Sequence, residues 1–157
     1  MRTFIYKTAQ IVLVLLILAT ILHAFYQSSL PTAESVKQSS KVEQIIEEII
    51  PPDTSAGEFV KTNIRKLAHF TEFFMLGLWS ALFVLLLKKK KGGFIALLPF
   101  GLIVALLDET VQIFSNRGSS VKDVWIDAAG YVCAVITVLF VTFVAFLVKK
   151  TVSRGRS

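Results

Sequence analysis

Hydrophobic residues in this chain fall into four long stretches, over residues 4–26, 67–87, 94–114 and 124–148, with polar or cationic segments between them. A helix needs about 20 apolar residues to cross a hydrocarbon core of roughly 30 Å, and each stretch meets that length. The pattern predicts an all-α membrane bundle of four transmembrane helices, over about 4–26, 66–87, 93–114 and 123–148. Together they form a single membrane domain over 1–157. The segment 27–63 is polar and punctuated by Pro31, Pro51 and Pro52. Within it Val42, Ile45, Ile46, Ile49 and Ile50 recur at the spacing of one helical face, with Glu43, Gln44, Glu47 and Glu48 opposite. This predicts a peripheral amphipathic helix ended by Pro51, lying in the interface or covering the bundle.

Charge gives the four crossings a direction. Arg2, Lys7, Lys88 to Lys91, Lys149, Lys150, Arg154 and Arg156 all fall on one face: ten cations and no acid. All eleven carboxylates belong to the other face or to the helix ends near it. Short loops rich in Lys and Arg stay cytoplasmic, so both termini are expected inside a cell membrane and the acid-bearing half outside. The formal net charge of +6 therefore reflects topology rather than nucleic-acid binding, and no nucleic-acid partner is expected. Arg2 and Lys7 before an apolar run resemble a secretory signal. The run is long, however, and His23-Ala24-Phe25-Tyr26-Gln27 lacks a small-x-small cleavage site, so an uncleaved anchor is expected. The single cysteine, Cys133, permits neither an intramolecular disulfide nor a Cys-based metal site.

The informative residues are the polar ones inside the apolar stretches. Arg65, His69, Glu72 and Leu76 share one helical face at i, i+4, i+7, i+11. Gly101, Ala105, Asp108 and Gln112 do the same in the third stretch, with Glu109 one step round, and Asp123, Asp127, Gly130 and Ala134 in the fourth. Small residues four apart let membrane helices approach closely, so these acids are expected to point into the bundle. Asp108 lies six residues before Phe114, about 9 Å below the helix end at 1.5 Å per residue. A charged acid at mid-membrane costs about 2.5–3.5 kcal/mol on insertion scales, which argues for a purpose.

Two purposes fit: an ion-pair network locking three helices, or a polar site. In a site, His69 is the candidate general acid or base with Glu72 orienting its ring, and Asp108 or Glu109 is the second acid/base group. Arg65, Lys66 and Arg117 are candidates to hold an anionic headgroup, with Gln112, Asp123 and Asp127 as further ligand-binding positions. A multi-histidine zinc site is not supported, because His23 stands without a ligand pattern. A hard cation on Glu72, Asp108 and Glu109 remains open. No metal is assigned, and no cofactor is specified. Ser119 and Ser120, with Asp123, resemble a capping box at the start of the last helix. No nucleophile elbow, phosphate loop or dinucleotide fingerprint is present.

Three blocks, Arg65-Lys66-x-x-His69-x-x-Glu72, Asp108-Glu109-x-x-Gln112-x-Phe114-x-x-Arg117 and Asp123-x-x-x-Asp127-x-x-Gly130, resemble the VanZ-like family in content and order. Gln27-Ser28-Ser29 and Glu34-Ser35 are similar to a looser family pattern. Phe73 departs from the family's common Tyr, and Asp127 stands where many members carry Asn. The resemblance implies an envelope membrane protein whose founding relatives are associated with reduced teicoplanin susceptibility, and it supplies no reaction. Three functions follow as expectations. The protein engages a membrane lipid or lipid-linked envelope precursor, performs acid/base chemistry on a lipid headgroup, or serves as a structural or partner-binding subunit.

Overall fold

The computed structural model describes residues 2–51, 53–87, 90–115 and 120–154. It contains five helices: α1 (Arg2–Ser29), α2 (Thr32–Glu47), α3 (Ser55–Leu86), α4 (Lys90–Phe114) and α5 (Val121–Arg154). The described residues include no strand. Four of these helices are long and apolar enough to cross a membrane, and α2 is the predicted peripheral helix. The chain is an all-α polytopic membrane protein.

Helix ends run past the apolar limits at several places, for a simple reason. Backbone hydrogen bonding continues through polar residues, whereas hydropathy marks only the lipid-matched part. Thus α3, expected from residue 66, starts at Ser55; the Thr54 hydroxyl caps it by accepting from the Gly57 N–H at 3.1 Å. Its 32 residues span about 48 Å, so its first turns project beyond a 30 Å core. Likewise α5 continues past residue 148 to Arg154. The helix α2 also begins earlier than its apolar pattern, directly after Pro31, whose fixed φ suits a helix start.

The centre of the bundle is α3, which contacts every other helix and packs most extensively on α5. Both α1 and α5 also lie against α4. The α3–α5 approach is made by glycine. A Cβ at Gly130 would fall on the Phe70 carbonyl oxygen, and one at Gly77 on the Tyr131 carbonyl oxygen. Ala134 is fully buried beside Gly77, and Ala105 of α4 is fully buried as well, as the small-residue stripes predict. An apolar core of Phe73, Leu76, Val84, Leu97, Val104 and Tyr131, among others, fills the middle of the bundle. Outside it, Leu15, Leu18 and Leu22 of α1 and Phe140, Phe143 and Phe146 of α5 are exposed, as lipid contact requires.

Polar ties fix both ends of α1. Near its start, Gln10 Nε2 donates to the Leu86 carbonyl at 3.1 Å, satisfying one of the orphan acceptors at the end of α3. At its other end, Ser28 Oγ donates to Asp108 Oδ2 of α4 at 2.8 Å. The helix α2 ends at Glu47, short of the predicted end at Pro51, so Ile49 and Ile50 lie beyond it. Of its apolar residues, Val42 and Ile46 line a cavity against the bundle, although Val42 stays partly open to the outside, and Ile45 is exposed. The acidic face of α2 is tied to α3, with Lys61 Nζ 3.2 Å from Glu43 and 3.3 Å from Glu47.

Candidate functional site

Four helices deliver polar side chains to one buried point at the end of the bundle that carries α2. On α4, Asp108 and Gln112 stand one turn apart, and Gln112 Nε2 donates to Asp108 Oδ2 at 3.1 Å. The same amide group lies 3.4 Å from Ser28 Oγ of α1. His69 of α3 directs Nδ1 between two carboxylates, 3.7 Å from Asp108 Oδ2 and 3.5 Å from Asp127 Oδ1 of α5. Asp108 and Asp127 are both 0 % exposed, so neither carboxyl lies on the molecular surface. The His69 Nδ1 and both Asp127 oxygens have no hydrogen-bond partner among the described residues. Placing such groups in apolar surroundings is costly unless each is paired, which marks the cluster as purposeful.

His69 also faces the other way. It helps line a cavity of about 700 Å³ between α1, α2 and α3. That volume lies in the range of small-molecule sites. Leu16, Ala19, Met75 and Trp79 make one part of the lining apolar, and His23, Arg65, Glu72 and Gln38 make another part polar. The cavity is therefore amphipathic, with His69 as the wall between it and the buried acids.

The predicted residues are distributed as follows. His69, Asp108, Gln112 and Asp127 come together. Glu72, expected to orient His69, instead meets His23, whose Nε2 lies 3.5 Å from Glu72 Oε1. The helical spacing that gathers these residues on one face of α3 does not decide which partner each one reaches. Glu109 turns toward α5, where its Oε1 accepts the Ser120 N–H. Ser120 in turn caps α5, its Oγ accepting from the Lys122 N–H at 3.2 Å. The acid that returns to the cap comes from α4, so the capping-box logic is met between helices. Asp123 is half-buried in the first turn of α5, its backbone N–H bonded to the Ser120 carbonyl at 2.8 Å. Arg65 is exposed and lines the cavity; Lys66 is exposed. Arg117 and Ser119 lie outside the described residues.

Two contributors escape the sequence argument. His23 has no ligand-like neighbours in sequence and acquires its role only by facing Glu72 across α1 and α3. Ser28 falls in the Gln27-Ser28-Ser29 stretch, a detectable but weak signal, and supplies a donor to Asp108.

A polytopic helix bundle with a polar core at one end and an amphipathic cavity beside it defines the class of this molecule. The family model described as VanZ/LLP1 matches residues 11–145, nearly the whole bundle, and the chain belongs to that family. No curated protein and no solved structure matches the chain.

Proposed function

We propose that this membrane protein binds a membrane lipid or lipid-linked envelope precursor in the cavity between α1, α2 and α3. The observation that carries the proposal is the cavity's division into an apolar part beside Leu16 and Met75 and a polar part beside His23, Arg65 and Glu72. A lipid presents the same division of chain and headgroup. Arg65 supplies the fixed positive charge for an anionic group. The cationic flanks at the Lys88-to-Lys91 end support placing both termini in the cytoplasm and the cavity at the outer leaflet. An effect on susceptibility to lipid-tailed glycopeptides such as teicoplanin follows from that placement and from the family resemblance.

A second reading is favoured by His69, which joins the cavity to two buried carboxylates. That arrangement suits acid/base chemistry on the bound headgroup, with His69 as the proton-transferring group and Asp127 and Asp108 setting its orientation. Lipid extraction and mass spectrometry of the purified protein test the binding reading. Wild type is expected to retain a defined lipid class, and Met75→Trp, which fills the apolar part, to lose it. Equal lipid content in both, or none in wild type, refutes it. A His69→Gln variant that binds lipid normally and leaves the cellular lipid profile unchanged refutes the enzymatic reading.

A further inference from the structure

We infer that His69, Asp108 and Asp127 form a binding site for one divalent transition-metal ion, of the Zn²⁺ or Mn²⁺ type. One donor atom from each lies within 4.8 Å of the other two. In a tetrahedral zinc site with ligands about 2.0–2.1 Å from the metal, neighbouring donors stand about 3.3 Å apart. The His69 Nδ1 distances of 3.5 Å to Asp127 and 3.7 Å to Asp108 lie within a few tenths of an ångström of that spacing. They are also longer than N–H···O hydrogen bonds, which cluster near 2.9–3.0 Å. The three donors therefore surround one point at spacings that leave room for an ion between them.

Burial supplies an independent argument. Asp127 is 0 % exposed, both its oxygens lack a hydrogen-bond partner, and so does His69 Nδ1. Among the described residues no Lys or Arg lies within ion-pair distance of Asp127. A proton on His69 supplies one positive charge and can be directed well at one carboxylate. A divalent ion supplies two charges and uses the lone pairs of His69 and Asp127 together. The supporting shell is present as well. Ser28 Oγ and Gln112 Nε2 both donate to Asp108 Oδ2, holding that carboxylate as metal ligands are commonly held. One imidazole with two carboxylates is a borderline-to-hard donor set, which suits zinc and manganese and lacks the thiolates preferred by softer ions. Three protein ligands also leave a tetrahedral ion one further position for water or a ligand atom.

This inference does not depend on the lipid reading, because metal binding is measured without lipid substrate. The full chain is purified in detergent without a polyhistidine tag, equilibrated with Zn²⁺ or Mn²⁺, freed of excess metal, and analysed by elemental mass spectrometry. About one equivalent per chain is expected for at least one of the two ions, with a melting temperature that falls on chelation. Asp127→Asn preserves shape and removes the charge. It is expected to reduce bound metal at least tenfold while remaining monodisperse. Cys133→Ser is expected to retain the metal. Should Asp127→Asn fail to fold, Co²⁺ loaded into wild type gives the same answer, through visible d–d bands without thiolate charge transfer. Folded wild type with less than about a tenth of an equivalent of either ion, no response to chelator and no cobalt bands overturns the site. Retention of full metal by a folded Asp127→Asn protein overturns it equally.

Discussion

Substituting Gly130 by alanine adds one methyl group, and the structure states what that methyl meets. It falls on the Phe70 carbonyl oxygen, a backbone atom that no rotamer change can move. Relief requires α3 and α5 to part by on the order of 1 Å, the shortfall from an ordinary C···O contact of about 3.3–3.6 Å. Overpacking of this kind costs about 1–3 kcal/mol, and a backbone obstacle belongs at the upper end. Alanine also gains about 1 kcal/mol over glycine in helix propensity, which obscures a single measurement. Gly92→Ala removes that ambiguity. Gly92 lies in α4 with nothing within 4 Å of its would-be Cβ, so it reports propensity alone. The two substitutions are chemically identical, and their stabilities should differ by about 3 kcal/mol, a factor of roughly 150 in the unfolding equilibrium. The separation also reaches the site, because Phe70 follows His69 and Gly130 lies one turn after Asp127. Opening by about 1 Å carries the 3.5 Å His69–Asp127 approach past 4 Å. Denaturant titration in micelles, with bound metal as a second readout, tests both parts. Equal stability for the two alanine variants would refute the close approach of α3 and α5.

Three other substitutions test separate contacts. Ser28→Ala removes a donor from buried Asp108 and should cost about 1–3 kcal/mol, measured as a lower melting temperature; an unchanged value would remove Ser28 from the polar core. Glu109→Ala withdraws the acceptor of the Ser120 N–H and should cost about 1 kcal/mol, whereas Glu109→Gln keeps a carbonyl there and should lose less than half of that. Lys61→Ala should leave the melting temperature unchanged but speed hydrogen exchange along α2, since exposed pairs to Glu43 and Glu47 hold that helix locally.

The crossings were readable from sequence because lipid imposes one length and one polarity on every helix. The inward stripes of Gly101, Ala105, Asp108 and Gln112, and of Asp127, Gly130 and Ala134, were readable because helical periodicity fixes faces. Partner choice was not. Periodicity places Glu72 beside His69 on α3, but the rotation and depth of α1 bring His23 to Glu72. In the same way Glu109, one step round from Asp108, passes from a presumed catalytic neighbour to an acceptor at the start of α5. Such assignments depend on how helices dock, and the relative rotation and depth of two helices is not contained in the pattern of either one alone.

The two tethers of α1 carry a consequence for access to the cavity between α1, α2 and α3. Gln10 and Ser28 are 18 residues apart, about 27 Å of helix, and each is bonded to a different neighbour. Between them α1 behaves as a jamb fastened top and bottom, so swinging that helix outward to widen the gap along Leu16 to His23 requires breaking one of these bonds. The flank formed by α2 is fastened through Lys61, whose charge is open to solvent and weakened by salt. A lipid bound as proposed should therefore exchange past α2, at a pace that quickens as ionic strength rises.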